Sequence, residues 1–183
     1  MCALTAVLAS ASPLATAAPA ATAAPTTTVS AAAADAALAE KAEDFPDVDF
    51  IVCEVNKERV LNGLSPLAIS DRASGVARGH AADMDKMKRL TSIGSDGRNV
   101  RDRLNDAALY SSNIAEFMFN GYNHNGYFAD MATDNTPSNS FYKALMSSDI
   151  VAFGMGYENL YTDVILLGYH RRLGVRPPVC TSS

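Results

Sequence analysis

Residues able to do chemistry are few in this chain and lie far apart. There are three histidines, His80, His124 and His170. His80 falls in ARGHAADM (77–84), in step with Ala73, Val76, Ala77, Ala81, Met84 and Met87 at three- and four-residue spacing. On such an apolar face a histidine reads as a satisfied core side chain. His124 sits in the polar loop GYNHNGY, within swinging reach of Glu116, and otherwise reads as a solvated loop residue. His170 precedes Arg171 and Arg172 and reads as surface. A metal-assisted hydrolase would have to be built from Glu116 and His124. A catalytic zinc needs about three protein ligands, which that pair does not supply. A serine nucleophile needs a base beside it and a third group to orient the base. Ser92, in RLTSIGSDG (89–97), has no histidine in view. The serines of 136–140 and 147–148 read as caps and turns, and Asp96-Gly97 as turn chemistry, with glycine accepting positive φ.

Glu116 carries the most information. It reads as a structural carboxylate, bonded to neighbouring amides or to Arg59 or Arg103. Phe117 and Phe141 read as plain core.

Local patterns place these residues on elements. Residues 46–62 read as a helix, opened by Pro46 and Asp47 and closed by Gly63. Residues 71–89 form the clearest helix, with Ser70 as N-cap and Lys86, Lys88 and Arg89 suiting its carboxyl end. Gly75 and Gly79 lower its propensity and are expected to allow close packing. Asn99–Ala107 and Ser140–Met146 read as short helices, Ser112–Phe119 as strand or loop, and Gly126–Asp134 as ambiguous. Val151–Tyr157 and Tyr161–Gly168 are strand-like and joined through Glu158-Asn159-Leu160. Helices first and a hairpin last predict an α+β domain, an α-β-α sandwich around a small antiparallel sheet.

The first 34 residues carry no charge and are nearly all Ala, Thr, Ser, Pro, Val and Leu. Residues 1–20 read as a signal peptide, with the apolar run CALTAVLA followed by small-residue triplets such as Ala15-Thr16-Ala17. No Lys or Arg precedes that run, which suggests a start further upstream. Residues 21–44 read as an Ala/Thr/Pro-rich linker, 45–173 as one folded domain, and 174–183 as a tail. If Cys2 leaves with the signal, Cys53 and Cys180 remain as a disulfide in an oxidising compartment or as two buried thiols in a reducing one. Such a bridge would contribute about 4–5 kcal/mol in the chain-entropy model. The net charge is −5, with no basic patch fit for nucleic acid. Nothing after the first run suggests a membrane span.

The order of motifs resembles the CAP superfamily, the SCP-like extracellular domain of cysteine-rich secretory proteins, antigen 5 and pathogenesis-related type 1 proteins. VNKERVLNGLSPLAIS (55–70) is similar to its opening pattern, through Asn56, Arg59, Gly63 and Leu64. ARGHAADM resembles the second helix, GSDG with RDRL (94–104) the segment after the first histidine, and AEFMFNGY (115–122) the Gly-Glu-Asn turn. FGMGYE (153–158) and LYTDVILLG (160–168) resemble the last strands. The style is that of fungal and oomycete members. The resemblance implies a cavity with two histidines and two acids able to hold a divalent metal. Here the first histidine position is Ser92 and the second falls on Phe141, or on Asn139 with a gap. The family's tryptophan falls on Asn135 and the second acid near Ser138. Only Glu116 matches. The resemblance therefore implies a secreted, non-enzymatic domain whose ligand cavity includes Glu116, Ser92, Phe117, Ser138, Asn139 and Phe141, with Glu116 on the floor able to orient a polar ligand head and Phe117 and Phe141 making the cavity more apolar. No cofactor is expected. The partner would be a sterol, a fatty acid, or a host or cell-wall protein. The alternatives are the Glu116/His124 hydrolase and a structural wall module.

Overall fold

The computed structural model describes residues 46–121, 124–169 and 173–181. The segments read as signal peptide and linker, and His170, lie outside these residues. In chain order the elements are α1 (Val48–Leu61), β1 (Ala68–Ser70), α2 (Asp71–Met87), α3 (Val100–Asp106), β2 (Ile114–Asn120), α4 (Asn125–Thr133), α5 (Ser140–Leu145), β3 (Ile150–Glu158), β4 (Tyr161–Gly168) and β5 (Val175–Arg176). They build the expected α-β-α sandwich. Its sheet has the order β2-β4-β3-β1-β5. The pairs are antiparallel except β1 with β3, which run parallel.

Caps written in the sequence set the helix starts. Asp47 accepts from the Asp49 and Phe50 amides, Ser70 from Ala73, and Asn99 shares a capping box with Asp102. Each side-chain oxygen satisfies an amide that has no partner inside its helix. The ambiguous segment 126–134 is helical as α4, capped by His124, whose Nδ1 accepts from the Tyr127 amide.

Period-2 alternation divides the strand side chains between two layers. On one face Phe117, Phe119, Phe153, Met155, Val164 and Leu166 pack with α1, α4 and α5. On the other, Ala152, Ile165 and Leu167 meet Ala73 and Ala77 of α2 and Leu104 of α3. The strand glycines set the distance to α2. A Cβ on Gly154 would lie 2.6 Å from Ala73 Cβ, and one on Gly156 1.9 Å from the Arg78 amide nitrogen. Gly75 and Gly79, expected to allow close packing, instead have open space where a Cβ would sit. They face a surface hollow.

Polar ties close the rest. The buried Arg59 donates to the carbonyls of Ser65, Leu145, Ser147 and Ile150, so one guanidinium joins α1 to the α5–β3 turn. Asn56 makes two bonds to the Leu67 backbone, a strand-like pairing supplied by a side chain. Cys53 and Cys180 form a disulfide with Cα atoms 5.7 Å apart. The stretch read as a tail contributes β5 and lies along α1. There Arg176 donates to both oxygens of Asp49, at 2.7 and 2.8 Å, and the Val179 amide bonds Asp49 as well.

Candidate functional site

Four ionisable side chains from four elements converge under α2. His80 descends from α2, Arg103 from α3, Glu116 from β2 and Asp163 from β4. Glu116 pairs in register with Ile165, and Asp163 with Met118, so the two acids stand diagonally on the α2 face of neighbouring strands. His80 is 1% exposed and Asp163 fully buried. The Arg103 and Glu116 side chains are 10% and 6% exposed and form an ion pair. Ligand atoms of His80, Glu116 and Asp163 all lie within 4.8 Å of one another.

The hydrogen bonds are uneven. A ring nitrogen of His80, Nε2, lies 2.8 Å from the Thr91 carbonyl. A carbonyl only accepts, so Nε2 carries the proton and Nδ1 keeps a lone pair. Nδ1 has no partner among the described residues, nor does Arg103 Nε or either oxygen of Asp163. The adjoining Val164 amide approaches Asp163 without normal hydrogen-bond geometry. Burial, and next the Glu116 charge, push the Asp163 carboxyl well above the usual carboxylate range. Burial raises Glu116 too, against the pull of Arg103. Burial, then the Arg103 charge, lower His80 and keep it neutral at physiological pH.

The 89–98 loop roofs the cluster. Arg103 donates to the Ser92 and Arg98 carbonyls at 3.2 and 2.9 Å and reaches Glu116 with its other nitrogen. Asp83 accepts from the Ser95 amide and hydroxyl at 2.7 and 2.6 Å, which holds Asp83 below the ordinary carboxylate range. Gly97 has φ +81°, as the Asp-Gly turn requires. A hollow of about 360 Å³ lies between α2 and this loop, bordered by His80, Asp83, Asp96, Arg98, Arg103 and Asp106 among others. A second, of about 370 Å³, is bordered by Ser92 and Glu116.

The expected cavity residues do not share one space. Ser92 and Glu116 border the same hollow. Phe117 and Phe141 lie on the opposite side of the sheet, their rings edge to face at 5.0 Å within the core. Asn139 caps α5 and donates to the Met131 and Asp134 carbonyls. Ser138 is exposed beside it. His124 caps α4, on the Phe119–Phe128 side of the sheet and away from the face that Glu116 occupies. Of the two readings of Glu116, the ion pair to Arg103 is present, whereas Arg59 is bonded elsewhere. The sequence reading missed Asp163 and took His80 as a satisfied core residue. Its Nδ1 has no partner among the described residues. The available signal was a lone acid inside the apolar run of β4, whose residues are all buried.

A model of the cysteine-rich secretory protein family, CAP, matches residues 52–165. The chain belongs to the CAP family. Solved structures agree at the level of fold. An extracellular SCP-domain protein from Bacillus anthracis superposes with a TM-score of 0.57 at 18% identity, over 65% of this chain and 39% of that one. A cysteine-rich secretory protein from Staphylococcus aureus gives 0.52 at 18%, over 65% and 37%. An outer surface protein from Borrelia burgdorferi gives 0.53 at 21%, over 66% and 90%. The match thus spans about two fifths of the first two proteins. No curated protein matches the sequence significantly. At the metal-binding positions that the resemblance implies, this CAP domain carries Ser92, Phe141 or Asn139, and Glu116. Phe141 offers no donor, and the Asn139 side chain is engaged as a cap and by two carbonyls. Glu116 alone remains, held by Arg103.

Proposed function

We propose that this CAP domain is an extracellular binding module that acts without catalysis, on a polar partner such as a host or cell-wall protein. The observation that carries this reading is the pairing of Glu116 with Arg103. The side chain of the one acid at a family cavity position is 6% exposed, and Arg103 is bonded to it. Charged groups instead line the hollow that opens above, with Asp83, Asp96 and Asp106 facing Lys86 and Arg98. A rim of both signs suits a polar protein surface. Secretion fits the Cys53–Cys180 disulfide and the extracellular relatives. Among the described residues no helix is long and apolar enough to cross a membrane. A sterol or fatty acid is the less favoured ligand, because it would have to part Phe117 from Phe141 inside the core.

Native mass spectrometry of the secreted protein, before and after organic extraction, separates the two ligand classes. No lipid mass is expected either before or after extraction. A co-purified lipid removed by extraction would overturn the polar reading. Binding to purified wall fractions or host surface protein should fall when Asp83 and Asp96 are both replaced by Lys. If binding is unchanged, the hollow is not the recognition surface.

A further inference from the structure

We infer that His80, Glu116 and Asp163 form a binding site for a zinc-class divalent ion, displaced from the family's histidine positions and sharing only Glu116 with them. This goes beyond the binding reading and does not depend on it.

Three features of the cluster point to an ion. The first is its donor set. His80 Nδ1, with its lone pair, and the Glu116 and Asp163 carboxyls are the groups an interior would bring together around a cation. Arg103, the cation at hand, is hydrogen-bonded to Glu116 and not to Asp163. The second is burial without satisfaction. Asp163 is 0% and His80 1% exposed, and His80 Nδ1 and both Asp163 oxygens lack partners among the described residues. Unpaired buried polar atoms are costly, and interiors rarely keep three in one place without a ligand or water to join them. The third is orientation. The Thr91 carbonyl takes the Nε2 proton and leaves Nδ1 as the nitrogen free to ligate. A backbone carbonyl in that role is what fixes the tautomer of metal-binding histidines.

The spacing is compatible. Ligands around tetrahedral zinc stand roughly 3.4 Å apart. These donor atoms lie within 4.8 Å of one another, so contraction is a matter of side-chain adjustment. An entry route exists as well, because His80 and Arg103 border one surface hollow and Glu116 the other. Arg103 would compete with the ion for Glu116. On release it keeps the Ser92 and Arg98 carbonyls.

The test uses the untagged, secreted chain, stripped by chelator and titrated with Zn²⁺ by calorimetry and with Co²⁺ by absorption. One ion per chain is expected, with a visible Co²⁺ spectrum of low-symmetry nitrogen and oxygen ligation and a rise in Tm with Zn²⁺. Asp163→Asn, checked for folding by circular dichroism, should lose the stoichiometric ion. Arg103→Gln should bind it more tightly, because the competing cation is gone. Those opposite changes are the signature of the site. Undiminished binding in Asp163→Asn would move the ion to the acidic rim of Asp83, Asp96 and Asp106 and overturn the inference. So would the absence of binding in both the parent and Arg103→Gln proteins while their folding is intact.

Discussion

Along β2 and β4, consecutive residues enter two different interiors. Phe117, Phe119, Val164 and Leu166 join an apolar layer of aromatic and aliphatic side chains under α1, α4 and α5. Glu116 and Asp163, their immediate neighbours or one step removed, enter a layer where α2 approaches over glycines and encloses charge. The first layer gains from every methylene it buries. The second keeps carboxyl oxygens of Asp163 with no partner among the described residues, which a stability-driven interior would have replaced. In this molecule apolar packing supports both faces of the sheet, and the candidate chemistry lies on one of them.

The largest expected effects come from breaking each face at its most constrained point. Phe141→Ala removes a ring that touches Phe117 and Phe119, and should cost about 3–5 kcal/mol. Gly156→Ala puts a methyl against the α2 backbone and should cost about 3 kcal/mol or more, because a helix must move rather than a side chain. Urea unfolding with the disulfide intact measures both. The comparison is sharpened by the His80 ring signals in NMR. These should shift in Gly156→Ala and stay in place in Phe141→Ala. Equal shifts would mean that the two layers are not separable.

Next in size, and opposite in sign, is Asp163→Asn. An amide supplies two donors to a place that now holds acceptors, and no buried carboxyl must be kept from ionising. In chelator-treated protein the change should stabilise by about 1 kcal/mol, the scale of one unsatisfied buried group relieved. Loss of stability instead would show that Asp163 has partners that matter to the fold.

What could be read from the sequence follows the same division. The starts of α1, α2 and α3 were legible because Asp47, Ser70 and Asn99 act on amides two or three residues away. The β3–β4 hairpin was legible from its β-branched and aromatic runs. β1 and β5, of three and two residues, carry no period and exist through their partners. β2 was uncertain because it is an edge strand with partly buried residues on both faces. The expected cavity placed Phe117 with Glu116, yet adjacent residues of a strand point to opposite sides. The partners of Glu116 come from α2, α3 and β4, and no local spacing announces a meeting of that kind. Family order carried the fold across that gap, but it could not supply Asp163, which the family pattern does not mark.

The smallest expected effect tests whether the carboxyl-terminal strap is part of the apolar layer's stability or only laid over it. Asp49 accepts from Arg176 and from the Val179 amide, and Arg176 first of all holds its carboxyl below the ordinary carboxylate value. A depressed carboxylate contributes stability that is present above its unfolded pKa and is lost as pH falls through the lower, folded value. The strap should therefore be tied at neutral pH and loosen in acid, below about pH 4. The Arg176 side chain is 38% exposed, so solvent screening limits the contribution to under about 1 kcal/mol. Asp49→Asn should remove that part of the acid dependence, and hydrogen exchange at residues 175–179 should rise at neutral pH while α4 and α5 keep their protection. If α4 and α5 lose protection together with the strap, the pair is coupled to the whole apolar layer, and the disulfide at Cys180 alone does not hold the strap in place.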